Sequence, residues 1–281
     1  DDVIFNPKTF LDFCMSNVYE YVSEHGKLIC KAMISVPGKL SLSLISYLSG
    51  LFGDDLQEAL SVLQSANIVT LNSKLTNSGA ETTFELNDIP RRFILNNHPP
   101  SREEDIEFKR KRKDVAALYE KIQSDRIKDP YNFRSILCRN SSDAIVVKLL
   151  SEALHYSAVD KMDISRRCIE KAIELDPSFY EVYRVKAVVE AFGGQFPIAD
   201  EAYKNAIDLE PRSAPLHYWY GGFLLRGPQD TEGAEREFTI AEEIDPEAPS
   251  ILVELARVKM YLNQFSEADK RLEIVLENPI A

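Results

Sequence analysis

Histidine, cysteine and phosphate-cradling glycine are the residue types from which metal sites and catalytic centres are most often built. In this sequence none of them stands at a productive spacing. His25, His98, His155 and His217 form no HExxH pair, and no GxSxG elbow occurs. Cys14, Cys30, Cys138 and Cys168 show neither CxxC pairing nor zinc-ligand spacing, and they read as reduced intracellular thiols, mostly buried as small hydrophobes. The nearest approach to a phosphate loop, Val36-Pro37-Gly38-Lys39-Leu40, lacks the earlier glycine and puts leucine where Mg²⁺ needs a hydroxyl; Gly26-Lys27-Leu28 fails likewise. Carboxylates are plentiful, but two at helical spacing in an acidic chain identify nothing. The expectation is therefore a chain with no catalytic residue, no metal site and no cofactor. His25 reads as an exposed residue beside a helix end, and His155 and His217 as packing or groove residues.

The elements that would position any functional residue are helical, and they repeat. An acidic or amide residue followed by proline recurs at Asp176-Pro177, Glu210-Pro211, Asp245-Pro246 and Asn278-Pro279, at spacings of 34, 35 and 33 residues. Five residues before the first three prolines stand Ala172, Ala206 and Ala241, and eight before them stand Ile169, Tyr203 and Phe238. Four residues further back are Ser165, Ala199 and Ala234, and the fourth unit supplies Ala268 and Leu272. Small residues belong where two helices cross closely, large ones fill the gap between neighbours, and proline cannot continue a helix. First-helix positions are Leu149, Ala153 and Tyr156; Tyr183 and Ala187; Tyr220 and Gly221; and Leu252, Leu255 and Ala256. Unit three carries an insertion, Arg226-Gly227-Pro228-Gln229-Asp230, and Ser165 replaces the usual alanine in unit one. The columns resemble the tetratricopeptide repeat, a helix-turn-helix unit of 34 residues, and predict four such units over residues 146–281.

Stacked repeats of this kind form an α-α superhelix whose first helices line a concave groove. The groove positions are Leu150, Leu154, Arg184, Val188, Tyr218, Trp219, Leu225, Arg226, Arg257 and Met260. Their apolar, aromatic and arginine character suits a protein or peptide ligand; packing on a neighbouring helix of the same chain is the alternative. The lysine and asparagine set with which some tetratricopeptide domains clamp a C-terminal carboxylate is absent at the corresponding positions.

The first hundred residues predict a helix over 7–25 closed by Gly26, a second over 28–34, and a third over 42–51 closed by Gly53. A fourth follows at 56–66, capped by Asp54-Asp55. Two strand-like runs, 68–71 and 82–86, are joined through Asn77-Ser78-Gly79, and a short helix over 88–96 completes the unit. Three helices followed by a two-stranded wing is the winged-helix arrangement. The helix that would enter DNA, DDLQEALSVLQSA, holds three acidic residues and no lysine or arginine, so no DNA binding is expected of it.

The segments FLDFCMSNVYEYVSEHGKLICKAM, EALSVLQSANIVTLNS and FELNDIPRRFILNN resemble the winged-helix module that follows the ATPase core of STAND proteins, the signal-transducing ATPases with numerous domains. That resemblance covers residues 5–98 and implies a sensor or regulatory arm, repeats that recognise a protein trigger, and a nucleotide-binding domain upstream of Asp1. Bacterial defence and transcription activation are among that family's roles. An independent tetratricopeptide adaptor or scaffold, and a fragment of a transcription regulator, are the alternatives.

After Pro99-Pro100-Ser101, residues 102–126 predict a helix with an acidic start and a basic run, Lys109-Arg110-Lys111-Arg112-Lys113. This run is read as a solvated face balanced by nearby acids, in preference to a nucleic-acid contact. A further helix over 131–139 would make residues 101–145 a degenerate repeat hairpin rather than a plain connector. The expected architecture is thus mainly α: a winged-helix domain over 1–100, a connector over 101–145 and four repeats over 146–281.

A chain of 281 residues is long enough for two cores, and its net charge of −12 disfavours sequence-independent nucleic-acid or anionic-lipid binding. The most apolar segment, 40–52, is short and broken by serines, and reads as a core helix rather than a membrane span. A cytoplasmic location is expected. Asp1-Asp2 in place of an initiator methionine suggests a fragment or processed product.

Overall fold

The computed structural model describes residues 7–76, 79–125 and 127–277. Asp1-Asp2, Asn77, Ser78 and Asn278-Pro279 lie outside the described residues. The chain divides into two compact units. One holds the residues up to 124 together with 138–146 and 174–176; the other holds 125–137, 147–173 and the residues from 177 onward.

The first unit begins with α1 (Pro7–Glu20) and α2 (Glu24–Ser35). The break between them falls earlier than Gly26, because Ser23 takes the N-cap and its hydroxyl accepts the Gly26 N–H at 3.2 Å. Gly26 is therefore a first-turn residue rather than a terminator, and an added Cβ would meet Val22 Cγ1 at 2.6 Å. A short strand that the sequence reading did not anticipate, β1 (Leu40–Ser41), leads into α3 (Leu42–Ser49). Ser41 caps this helix through the Leu44 N–H, and Gly50, at φ 76°, closes it in the left-handed region. Gly53 instead opens α4 (Gly53–Ser65), where Asp54 and Asp55 sit in the first turn beside the helix-dipole terminus without acting as the cap.

β2 (Val69–Thr76) and β3 (Gly79–Leu86) form an antiparallel pair with Val69 opposite Leu86, and β1 adds to the other edge of β3 with Leu40 opposite Phe84. The sheet order is β1-β3-β2. α5 (Asp88–Asn97) follows. In α6 (Arg102–Ser124), Ser101 and Glu104 exchange side-chain and backbone bonds in a reciprocal capping box.

Ile29, Met33, Ile45, Leu60, Leu63, Ile68 and Ile94 are almost wholly shielded, and burying each such side chain contributes about 1.5–3 kcal/mol. α6 packs on α2 and α3 and brings Phe108 and Val115 into the same core. Its basic run is largely paired: Lys109 with Asp105, Arg110 with Glu107 and Asp114, and Lys111 with the Leu48 carbonyl at 2.8 Å.

The helix expected over 131–139 does not form; residues 127–143 are turns and extended chain. Local side chains compete for the backbone there. Asp129 Oδ1 accepts the Tyr131 N–H, Asn132 Oδ1 accepts the Arg134 N–H, and Asp143 accepts the Arg139 N–H.

The repeats follow as α7 (Ala144–Ala158), α8 (Met162–Leu175), α9 (Tyr180–Phe192), α10 (Phe196–Leu209), α11 (Ala214–Arg226), α12 (Thr231–Ile244), α13 (Pro249–Tyr261) and α14 (Phe265–Glu277). In the second unit α9 packs on α10, α11 on α12 and α13 on α14. At these crossings Ala199, Ala206, Ala234 and Ala241 have no exposed surface, and Ala172, at the matching position of α8, has none either. Ser165 is equally buried, and its hydroxyl donates to the Ala153 carbonyl at 2.8 Å, which satisfies the one polar group that distinguishes it from alanine. Gly221 allows a close approach; a Cβ there would stand 3.1 Å from three ring atoms of the fully buried Phe238.

Each hairpin turn contains one residue in the left-handed region: Asp160, Gly194, Gln229 and Asn263. The insertion in unit three is absorbed in this turn, and Asp230 then caps α12 through the Gly233 N–H at 2.9 Å.

Candidate docking face of the repeats

Arg184, on α9, is expected to face a partner, but it is buried to 2% exposure. A guanidinium can be taken out of water only if its charge and its N–H groups are met. Its Nε donates to Glu181 Oε2 at 2.5 Å, one helical turn away. Its Nη1 donates to the Phe133 carbonyl at 3.2 Å and its Nη2 to the Ser135 carbonyl at 2.8 Å. Glu181 Oε1 in turn accepts the Leu137 N–H at 2.9 Å. The pair therefore holds the backbone of residues 133, 135 and 137 at alternate positions, the period of an extended chain.

The side chains of this segment dock on other first helices. Tyr131 is buried against Ala214 of α11 and Ile251 of α13, its ring stands 5.1 Å from that of Tyr218, and its hydroxyl donates to Asp245 Oδ2 at 2.5 Å. Burial first, and the Asp245 carboxylate second, raise the Tyr131 phenol above its ordinary pKa, so it stays a donor. Phe133 meets Phe192 and Trp219 edge-on, with ring centroids 6.1 and 6.4 Å apart. Residues 131–137 thus lie across α13, α11 and α9 in succession.

Beside Phe133 an apolar cleft of about 370 Å³ opens between α9 and α11, lined by Val188, Phe192, Phe196, Trp219, Phe223 and Arg226. Phe192 is 61% exposed at its rim. Arg226 and Arg257 share a single carboxylate, Glu254, at 2.8 and 3.0 Å. Both arginine side chains remain about half exposed, so positive charge is in excess at this spot.

The expected groove residues divide into three groups. Arg226, Arg257 and Met260 are exposed, and Tyr218 and Trp219 are half-buried at the aromatic contacts just described. Arg184 is buried beneath the chain's own extended segment. Leu150 and Leu154 are buried and not open to a partner, because α7 is apolar on more than one face, with Val147 and Ala153 buried as well. Val188 is also buried, as part of the cleft floor. Glu181, Tyr131 and Phe133 join this face although no repeat column marks them. The Asp129-Pro130 and Asn132 turn formers, with aromatic residues two apart between them, were the available signal for an extended segment.

Elsewhere, Cys30 is buried and desolvation pushes its thiol up to about 12, while Cys168 is raised in the same direction by partial burial. Both are thereby kept from the reactive thiolate form. Among the described residues no group of three or more His, Cys, Asp and Glu is placed to hold a metal ion. No helix among them is long and apolar enough to cross a membrane. The outward positions of α4 (Asp54, Asp55, Gln57, Glu58 and Ser61) are acidic or neutral.

No family model matches the chain. The type IV pilus assembly protein PilF of Pseudomonas aeruginosa is 27% identical over 106 residues, which is 37% of this chain and 42% of that protein. The chain thus spans less than half the length of that relative. A solved structure from the functional characterisation of Pseudomonas aeruginosa PilF is 25% identical and superposes with a TM-score of 0.43, covering 47% of this chain and 60% of that one. MamA from Desulfovibrio magneticus RS-1 is 16% identical with a TM-score of 0.41, covering 66% of this chain and 89% of that one. With the period, the buried small-residue columns and the paired helices, the C-terminal half is an array of tetratricopeptide-like helical repeats.

Proposed function

We propose that this chain is a non-catalytic adaptor or scaffold whose repeats dock a protein partner through the face formed by α9, α11 and α13. The observation that carries this reading is the open aromatic cleft between Phe192, Trp219 and Phe223, with the charge-excess pair Arg226 and Arg257 nearby. Aromatic pockets flanked by arginine are where binding energy concentrates at protein interfaces. The chemistry selects a partner segment that presents a large apolar or aromatic side chain together with a carboxylate. A selection of displayed random peptides on the purified chain is expected to enrich such sequences. Phe192→Ser combined with Arg257→Gln should abolish their binding while leaving circular dichroism unchanged, since Phe192 is 61% exposed and the Arg257 side chain about half exposed. No enrichment, or enrichment indifferent to the double substitution, would contradict the proposal.

A second reading, the regulatory arm of a STAND-like ATPase, draws support from the first unit. Its order α2-β1-α3-α4-β2-β3, with the antiparallel sheet ordered β1-β3-β2, fits a winged helix over residues 1–100, followed by the connector and the repeats from 146. The lack of any basic residue on α4 favours a protein-contacting rather than a DNA-reading module. A GxxxxGK[ST] motif encoded ahead of Asp1 separates this reading from the free-standing adaptor.

A further inference from the structure

We propose that residues 129–137 act as a built-in stand-in for a partner's peptide. In that case the face of α9, α11 and α13 accepts in trans an extended segment carrying two aromatic side chains two residues apart. The inference rests on the docking reading above and specifies what is docked. Three observations carry it. First, the segment has no regular secondary structure of its own, yet three of its backbone groups are met by Arg184 and Glu181. Backbone bonds of that kind hold any sequence in an extended conformation, so they supply affinity without choosing residues. Second, the aromatic contacts that discriminate between sequences are made by two side chains, Tyr131 on Tyr218 and Asp245, and Phe133 on Trp219 and Phe192. Third, the fit is incomplete. Phe133 borders the apolar cleft of about 370 Å³ without filling it, and Phe192 stays largely exposed at the rim. A partner segment with a larger or better-placed aromatic at the Phe133 position would bury that surface and displace the tethered copy.

The chain-linked segment competes at an effective concentration on the order of millimolar, as expected for a short tether, so a partner must exceed that advantage or the segment must be released. The competition makes the inference measurable with a synthetic peptide of residues 127–137, labelled for fluorescence anisotropy. The intact wild-type chain is expected to bind it weakly. The Tyr131→Ala/Phe133→Ala chain, whose own segment is loosened, should bind it at least about tenfold more tightly, because the competing intramolecular state is depopulated. Adding Arg184→Lys to that background should remove about tenfold of the gain, since an ammonium cannot fork to two carbonyls. A peptide with Phe133→Ala should bind the released chain as poorly as a scrambled one. Equal affinity of the wild-type and released chains, or no binding by a released chain that keeps its helical spectrum, overturns the inference. If the released chain loses that spectrum, Tyr131→Phe, which deletes only the hydroxyl bonded to Asp245, gives the same comparison. A several-fold gain supports the inference and no gain overturns it. Enrichment of random peptides at the cleft, together with failure of this peptide, would leave the docking function standing and remove the stand-in.

Discussion

His217 shows how a single side chain on a repeat helix can be committed to structure. It is 4% exposed on α11, its Nδ1 lies 2.7 Å from Glu237 Oε2, and its Nε2 lies 3.1 Å from the Pro211 carbonyl. Both ring nitrogens therefore face acceptors, an arrangement that only the doubly protonated imidazole satisfies fully. Burial alone would lower its pKa, but the bonds to Glu237 and Pro211 outweigh that penalty and raise it above 6.5. Because the folded-state pKa is the higher one, the stabilisation is fully present below about pH 6.5 and is lost as pH rises through the folded-state value. Thermal melting from about pH 6 to about pH 8 is expected to show a falling midpoint, and His217→Gln should flatten that dependence. An unchanged slope in the variant would show that other groups control it. Arg184 is committed in a comparable way: its charge is buried but fully met, so removing Glu181 alone would leave an unpaired guanidinium and cost about 3–5 kcal/mol.

At the scale of elements, the repeat helices were legible because their crossings demand small residues at fixed spacing. The columns at 165, 199, 234 and 268 and at 172, 206 and 241 are buried. Gly221 lets α11 pack closely on Phe238 of α12, and Gly221→Val is expected to destabilise by roughly 1–3 kcal/mol through overpacking against that ring. A chemical-denaturation midpoint equal to wild type would mean that the two helices can separate without loss. The boundaries in the first unit were less legible. Ser23, acting as a cap through its hydroxyl, starts α2 at Glu24 rather than at 28; α3 begins at Leu42 as expected, but Gly50 rather than Gly53 supplied its left-handed stop. β1 is only two residues long and exists through its pairing with β3, a long-range contact that no local pattern announces. The same holds for residues 131–139. Their apolar and aromatic content mimics a helix, and what prevents one is a set of Asx turns and the demands of Arg184, about fifty residues further along the chain.

At the scale of the whole molecule, the chain joins a small mixed unit to a helical repeat array, and the face the array would offer a partner already carries part of the chain itself. Of the ten residues expected in the groove, Arg226, Arg257 and Met260 are exposed, Leu225 is half-buried, Val188 lines the cleft, and Tyr218, Trp219 and Arg184 meet the chain's own segment. Leu150 and Leu154 are taken up by the core. Sequence could indicate which helix positions share a face; it could not show that a turn-rich stretch upstream of the repeats would lie against it. The most direct test is site-resolved amide hydrogen exchange over residues 127–137 in the intact chain. The Leu137 N–H, bonded to the buried Glu181 carboxylate, should exchange orders of magnitude more slowly than in the free peptide despite lying outside any helix or strand, and Glu181→Gln should weaken that protection. Exchange at the free-peptide rate would contradict the occupied face on which the tethered stand-in depends.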